Sequence, residues 1–234
     1  MDRRTRECDF MLRAQAAAFV VRIDRSPLDE RTTFAGDLAF LLERGLRPIV
    51  VGPSAEAARA FVRALNRGSN VAVGLCGADA ALLPTARERG VGRVQTGILA
   101  TLTSAGYVPV VEPVGLSVGG EEIACSPDDV AAAIAAATEA VRVLFFDRAG
   151  GLVDPESQAL LAELTPAEAL VLAERDDLAC ELRAIARAAA SGVRAGVGAA
   201  QILDGRIAHA TIVELLTDRH LGTQVSGSVF LGAA

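Results

Sequence analysis

Ser126-Pro-Asp-Asp-Val-Ala-Ala-Ala-Ile-Ala-Ala-Ala-Thr138, followed closely by Val141-Arg-Val-Leu-Phe-Phe146, is the stretch that decides the fold. Ser126 can accept a backbone N–H at a helix start, Pro127 suits a first helical position that donates no hydrogen bond, and Asp128 and Asp129 favour the positive helix end. A helix is therefore expected over about 127–139. The run behind it is apolar at nearly every position, where a strand with one wet face would alternate, so it reads as a strand covered on both sides.

Runs of the same kind stand at Ala18–Ile23, Arg47–Val51, Asn70–Gly74 and Val108–Val111, separated by segments of helical period at about 30–45, 55–67 and 94–105. Strand and helix in alternation call for right-handed crossovers and a three-layer α/β/α sandwich with an open, mostly parallel sheet. Beyond Asp154-Pro155 the expectation is a helix-rich stretch to about Ser191, a strand at 194–202, a helix at 205–216 and a closing strand at 222–231. Residues 1–17 read as an amphipathic N-terminal helix. Residues 18–234 read as a single domain with an N-lobe at about 18–125 and a C-lobe at about 126–234, because no Pro/Gly-rich hinge divides them.

Composition narrows the function. The 234 residues are 51% hydrophobic but only 4% aromatic, with no Trp, and carry a formal charge of −6, which argues against nucleic acid as a partner. Apolar runs such as Val130–Ala137 are shorter than the roughly 20 residues a membrane helix needs, and the charged start Asp2-Arg-Arg-Thr-Arg-Glu7 is not a secretory signal, so a cytoplasmic protein is expected. Cys8, Cys76, Cys125 and Cys180 are dispersed, with only His209 and His220 to join them, and no metal site is expected. All 23 basic side chains are Arg; there is no Lys.

Three groups of residues carry a family likeness. They are Gly74-Leu-Cys-Gly-Ala-Asp79 with Ala105-Gly-Tyr-Val-Pro-Val-Val111; Ser126–Ile134 with Leu144-Phe-Phe-Asp-Arg-Ala-Gly-Gly-Leu152; and Gln201-Ile-Leu-Asp-Gly-Arg-Ile-Ala-His209 with Glu214–Thr223. In order and spacing the chain resembles the acetylglutamate kinases of the amino-acid kinase family from about residue 18 onward. The resemblance implies that family's carbamate kinase-like fold, with acyl amino acid bound by the N-lobe and Mg-ATP by the C-lobe. It also implies a homo-oligomer, either dimer or hexamer, and in arginine-regulated members an N-terminal helix that interlaces dimers.

Phosphoryl transfer relies on cations and backbone N–H groups aimed at the transferred oxygens. Where the family has its first lysine this chain has Arg22, followed by Asp24-Arg25 in place of glycines. The second glycine loop is reduced to Gly52-Pro53-Ser54, and Pro53 has no N–H to offer. The second lysine falls on Glu181 or Ile185 according to register, with Asp176-Asp177 on the glycines of that motif in one of them. Asp128 matches the carboxylate that organises the lysines, and a long insert bearing a lid and a substrate-gripping arginine is missing.

By the resemblance, Arg22 and Asp128 are degraded catalytic positions, Asp147, Arg148, Gly150 and Gly52 face the nucleotide, and His209, Glu214, Asp218 and Gly222 belong to the effector region. The expected function is a sensing or regulatory subunit responsive to arginine or a related metabolite, linked to arginine biosynthesis and partnered by itself or by an enzyme of that pathway. The alternatives are an active acyl-amino-acid kinase using Arg in place of Lys, and a structural homo-oligomer without a ligand.

Overall fold

The computed structural model describes residues 17–24, 33–86, 90–154, 156–217 and 219–227. The expected N-terminal helix therefore lies outside the described residues apart from Ala17. Strand β1 (Ala18–Arg22) leads to α1 (Phe34–Glu43), β2 (Arg47–Val51), α2 (Ala55–Leu65) and β3 (Ala72–Leu75). Two short strands, β4 (Thr85–Ala86) and β5 (Gly90–Val91), precede α3 (Gly97–Ser104) and β6 (Val108–Val111). The hairpin β7 (Val114–Leu116) and β8 (Glu122–Ala124) then joins α4 (Pro127–Ala137) and β9 (Arg142–Phe146). The chain continues through β10 (Glu163–Leu164), α5 (Pro166–Ala173), α6 (Cys180–Arg194), β11 (Ala199–Leu203), α7 (Ala210–Leu216) and β12 (Thr223–Ser226).

Eight strands form one sheet in the order β10-β12-β11-β9-β1-β2-β6-β3. The pairs from β11 across to β3 are all parallel, while β12 runs antiparallel to β11 and carries β10 with it. Successive side chains of each central strand enter opposite cores. Val20, Ile49, Val51, Val143 and Phe145 pack on one side with residues of α3, α4 and α6. Phe19, Val21, Val50, Leu144 and Phe146 pack on the other with residues of α1, α2 and α7. This is the period-2 geometry of a strand covered on both faces, and it explains why these runs show no polar alternation. Phe34 ties the second core together, stacking on Phe61 at 5.6 Å and meeting Phe146 edge-on at 5.2 Å.

The expected three-layer sandwich and mostly parallel sheet are found, and several element boundaries are corrected. The strand expected at 194–202 begins later, because α6 continues to Arg194 and Gly196 turns the chain at φ 109°. The helix expected from 205 begins at Ala210, since Asp204 first closes a turn by accepting from the Arg206 N–H at 2.9 Å. The closing strand is short, Thr223–Ser226. The hairpin β7–β8 and the small strands β4, β5 and β10 have too few residues to show a period. The α4 start is as expected: the Ser126 hydroxyl accepts from Asp129 N–H at 3.3 Å, with Pro127 in the first turn. Ser126→Ala is expected to cost about 1 kcal/mol, read as a lower urea midpoint at unchanged slope.

Candidate functional site at the carboxyl edge of the sheet

The side to which strands are added reverses between the parallel neighbours β1 and β9: from β1 the chain moves outward through β2, and from β9 it moves the other way to β11. In open parallel sheets this switch point, beyond the carboxyl ends of the strands, is where ligands bind. Here β1 ends on Arg22, β9 runs into Asp147 and Arg148, β11 into Asp204-Gly205-Arg206, and α4 begins beside them with Asp128. The structure thus brings together Arg22 and Asp128, matched to catalytic positions, with Asp147 and Arg148 from the nucleotide set.

Arg22 and Asp128 are buried, 6% and 8% exposed. Arg22 Nε lies 2.5 Å from Asp128 Oδ1, a close ion pair. A second guanidinium nitrogen, Nη1, donates to the Phe146 carbonyl at 2.8 Å, and the cation lies 5.9 Å from the Phe145 ring centre. Burial holds the Asp128 carboxyl above the ordinary carboxylate range, opposed by Arg22 and reinforced by the negative fields of Asp129 and Asp147. Asp128 therefore occupies the first turn of α4 and also holds Arg22 in place.

The other guanidiniums are partly committed. Arg206 grips Asp204 through Nε at 2.9 and 3.1 Å and Nη2 at 2.7 Å, and this contact is the main cause holding the Asp204 carboxyl below its ordinary range. Arg206 also donates to the Arg148 carbonyl at 3.3 Å, tying the β9 and β11 loops together. Gly205 lets the β11 loop close over Phe146, whose ring a Cβ would strike. Arg148 itself is exposed.

A phosphate cradle needs backbone N–H groups without internal partners, and the glycine positions do not offer them. Gly52 N–H donates to the Val111 carbonyl at 3.0 Å, Ala149 N–H to Asp147 Oδ1 at 2.9 Å, and Gly150 N–H to the Asp147 carbonyl at 3.0 Å. Gly52 instead permits close packing, since a Cβ there would stand 2.6 Å from that of Ala58 on α2, while Ser54 caps α2 by accepting from Ala57 N–H at 3.2 Å. The N–H groups of Gly52, after β2, and of Ala149 and Gly150, after β9, are thus taken up inside the protein. Ile185 is buried, 1% exposed, whereas Asp176 and Asp177 pair with Arg183 and Arg175. Arg25 lies outside the described residues.

The effector set divides into two clusters. His209, in a left-handed conformation at φ 58°, brings Nδ1 within 2.8 Å of Asp37 on α1, and its N–H donates to Thr33 Oγ1 at 2.7 Å. Glu214 is fully buried: Oε1 receives Arg142 Nη1 at 3.1 Å and meets His220 Nδ1 at 3.0 Å, while Oε2 receives Leu221 N–H at 3.0 Å. With its oxygens occupied inside the protein, Glu214 anchors the turn before β12. Gly222 sits in that turn at φ 78°, and Asp218 lies outside the described residues. Arg142 and His220 were missed from the sequence, where an Arg opening an apolar strand carries no signal of a partner far along the chain. Arg59 was also missed; it makes a two-pronged contact with Glu112 at 2.7 and 2.9 Å at the end of β6. Among the described residues no group of His, Cys, Asp and Glu could hold a metal, and no helix is long and apolar enough to cross a membrane.

An open α/β sheet with a charged cluster at its switch point is an architecture that binds small molecules in many families, small-molecule kinases among them. Residues 54–204 match the amino acid kinase family, and the chain belongs to that family. It is 32% identical over 186 residues to acetylglutamate kinase of Carboxydothermus hydrogenoformans, covering 71% of this chain and 63% of the relative. It is 36% identical over 185 residues to that of Nostoc punctiforme, covering 73% and 60%. The match thus spans less than two thirds of these relatives' length. In fold it is similar to N-acetylglutamate synthase from Neisseria gonorrhoeae complexed with coenzyme A and L-arginine, with TM-score 0.78, 20% identity, and coverage of 96% of this chain and 65% of that one. It is also similar to carbamate kinase from Giardia lamblia bound to AMP-PNP, with TM-score 0.63, 11% identity, and coverage of 92% and 100%.

Proposed function

We propose that this chain is a metabolite-sensing, regulatory member of the acetylglutamate kinase-like group that does not itself transfer a phosphoryl group. The observation that carries the reading is Arg22, the guanidinium at the switch point, which is closed onto Asp128 and the Phe146 carbonyl instead of being aimed at a ligand. Asp128 matches the carboxylate that organises the family's lysines, so the pair by itself positions a cation; what turns Arg22 from a phosphate is its second bond, to the Phe146 carbonyl, together with Asp24 standing where the family has glycine. The closed turns at Gly52 and Gly150 point the same way.

A regulatory role linked to arginine is supported by the relatives named acetylglutamate kinase and by the similar synthase crystallised with L-arginine. Self-association, or association with an active enzyme of that pathway, follows from the same reading. In a coupled assay with Mg-ATP and N-acetyl-L-glutamate, ADP release is expected to stay at background, while titration with L-arginine in a calorimeter gives a saturable isotherm. Magnesium-dependent ADP release that Arg22→Ala abolishes would overturn the reading. It would favour a second one, an active kinase using Arg22 and the exposed Arg148 in place of lysines. Absence of an arginine isotherm would remove the sensor half of the proposal.

A further inference from the structure

A cavity of about 390 Å³ opens at the amino edge of the sheet, the end opposite Arg22 and Asp128. It lies between α3 and the last turn of α4, with the starts of β1 and β2 as its floor. Its volume falls within the range of small-molecule sites. Thr96, Leu99 and Ala100 line one wall along a single face of α3, and Ile49 contributes to the floor.

Two charges of opposite sign line the cavity, Arg47 at the first position of β2 and Glu139 just past α4. Arg47 is half-buried and Glu139 exposed. Neither side chain has an ionic partner among the described residues, and they do not pair with each other. This contrasts with Arg22, Arg59, Arg142 and Arg206, each of which holds a carboxylate. Glu139 is also held in a left-handed conformation at φ 52°, uncommon for a residue other than glycine, with its N–H bonded to the Ala136 carbonyl at 3.2 Å. The C-terminal end of α4, which favours positive charge, lies beside it.

We propose that this cavity binds a small aliphatic α-amino acid as its zwitterion. Arg47 takes the carboxylate in a two-pronged contact, which suits a planar guanidinium. The ammonium lies toward Glu139 and the C-terminal end of α4, so each separated charge meets its complement. The aliphatic side chain rests on the exposed Ala100 and Ala137, with Ile49 and Leu99 closed beneath them, a lining without aromatic rings or a further charge to receive a longer polar group. The site is separate from the carboxyl-edge cluster and from Glu214, whose oxygens are already occupied.

The test is calorimetric titration of the full chain with L-valine, with 3-methylbutanoate, which lacks the ammonium, and with 2-methylpropylamine, which lacks the carboxylate. L-Valine is expected to give one saturable isotherm, and each analogue to bind at least tenfold more weakly. Arg47→Met is expected to weaken L-valine at least tenfold. Ala100→Phe, placed on an exposed helix position so that folding is retained, is expected to abolish binding by filling the groove. No saturable heat from L-valine would overturn the proposal, as would an isotherm that both variants leave unchanged.

Discussion

Arg22→Met is expected to destabilise the protein by about 3–5 kcal/mol at neutral pH, because it strands the buried Asp128 carboxylate without its cation. Methionine keeps the apolar reach of the arginine stem against Phe145, so the loss reports charge more than volume. The companion variant Arg22→Met/Asp128→Asn removes both charges and is expected to recover most of the stability. The pH dependence has a definite sign. Burial holds the Asp128 carboxyl above its ordinary value, so in the window between the two values the folded protein retains a proton that the unfolded chain has released. In that window stability falls as pH rises, and above it the full penalty is present. Losing Arg22 pushes the folded value higher and widens the window upward. The defect of Arg22→Met should therefore shrink on acidification, measured as urea midpoints from pH 7 down to pH 5. A defect of equal size throughout, or one that the double variant fails to relieve, would show that Arg22 contributes packing and not charge pairing.

Gly222→Ala is the second large effect. At φ 78° an added Cβ costs about 1–2 kcal/mol in backbone conformation alone. The Cβ would also run into two carbonyl oxygens, those of Ile202 and Gly150, which are backbone and not flexible side chains that could move aside. Adding an overpacking cost of about 1–3 kcal/mol brings the total to the order of 2–5 kcal/mol. The thermal midpoint and the soluble yield should both drop, whereas Gly45→Ala, at φ 80° with nothing near its Cβ, should show the conformational cost alone. If the two variants lose equal stability, the close approach of β11, the β9 loop and the turn at Gly222 is not tight in solution.

The legible part of the fold was the part whose signal is local. An apolar run such as Val141–Phe146 announces a strand covered on both sides, and Ser126-Pro127-Asp128 announces a helix start; both are written in adjacent residues. The short strands β4, β5 and β10 exist because of what they pair with, and two or three residues carry no period of their own. The site divides in the same way. That Arg22 and Asp128 occupy matched positions could be read from the chain, but their closing on each other depends on the β1 end and the α4 start converging at one edge. The partners of Glu214 lie at Arg142, His220 and Leu221, and nothing in the composition of an apolar strand marks its first residue as the counter-ion of a distant helix. The occupied N–H groups at Gly52 and Gly150 were equally hidden, since a glycine in sequence looks the same whether it cradles an anion or lets two elements touch.

The position of β10 in the sheet has a consequence for the order in which the molecule can be assembled. It joins the sheet only through β12, which in turn pairs with β11. While the chain is being synthesised, Glu163 and Leu164 leave the ribosome well before Thr223 does, and they have no neighbouring strand to hydrogen-bond until β12 arrives. The parallel strands from β3 to β11 can form their ladder earlier from segments already made. The C-terminal flank is thus the last part to close, and a nascent chain halted before Thr223 would present the open side of β11 as an unpaired edge, a target for chaperones and a starting point for aggregation.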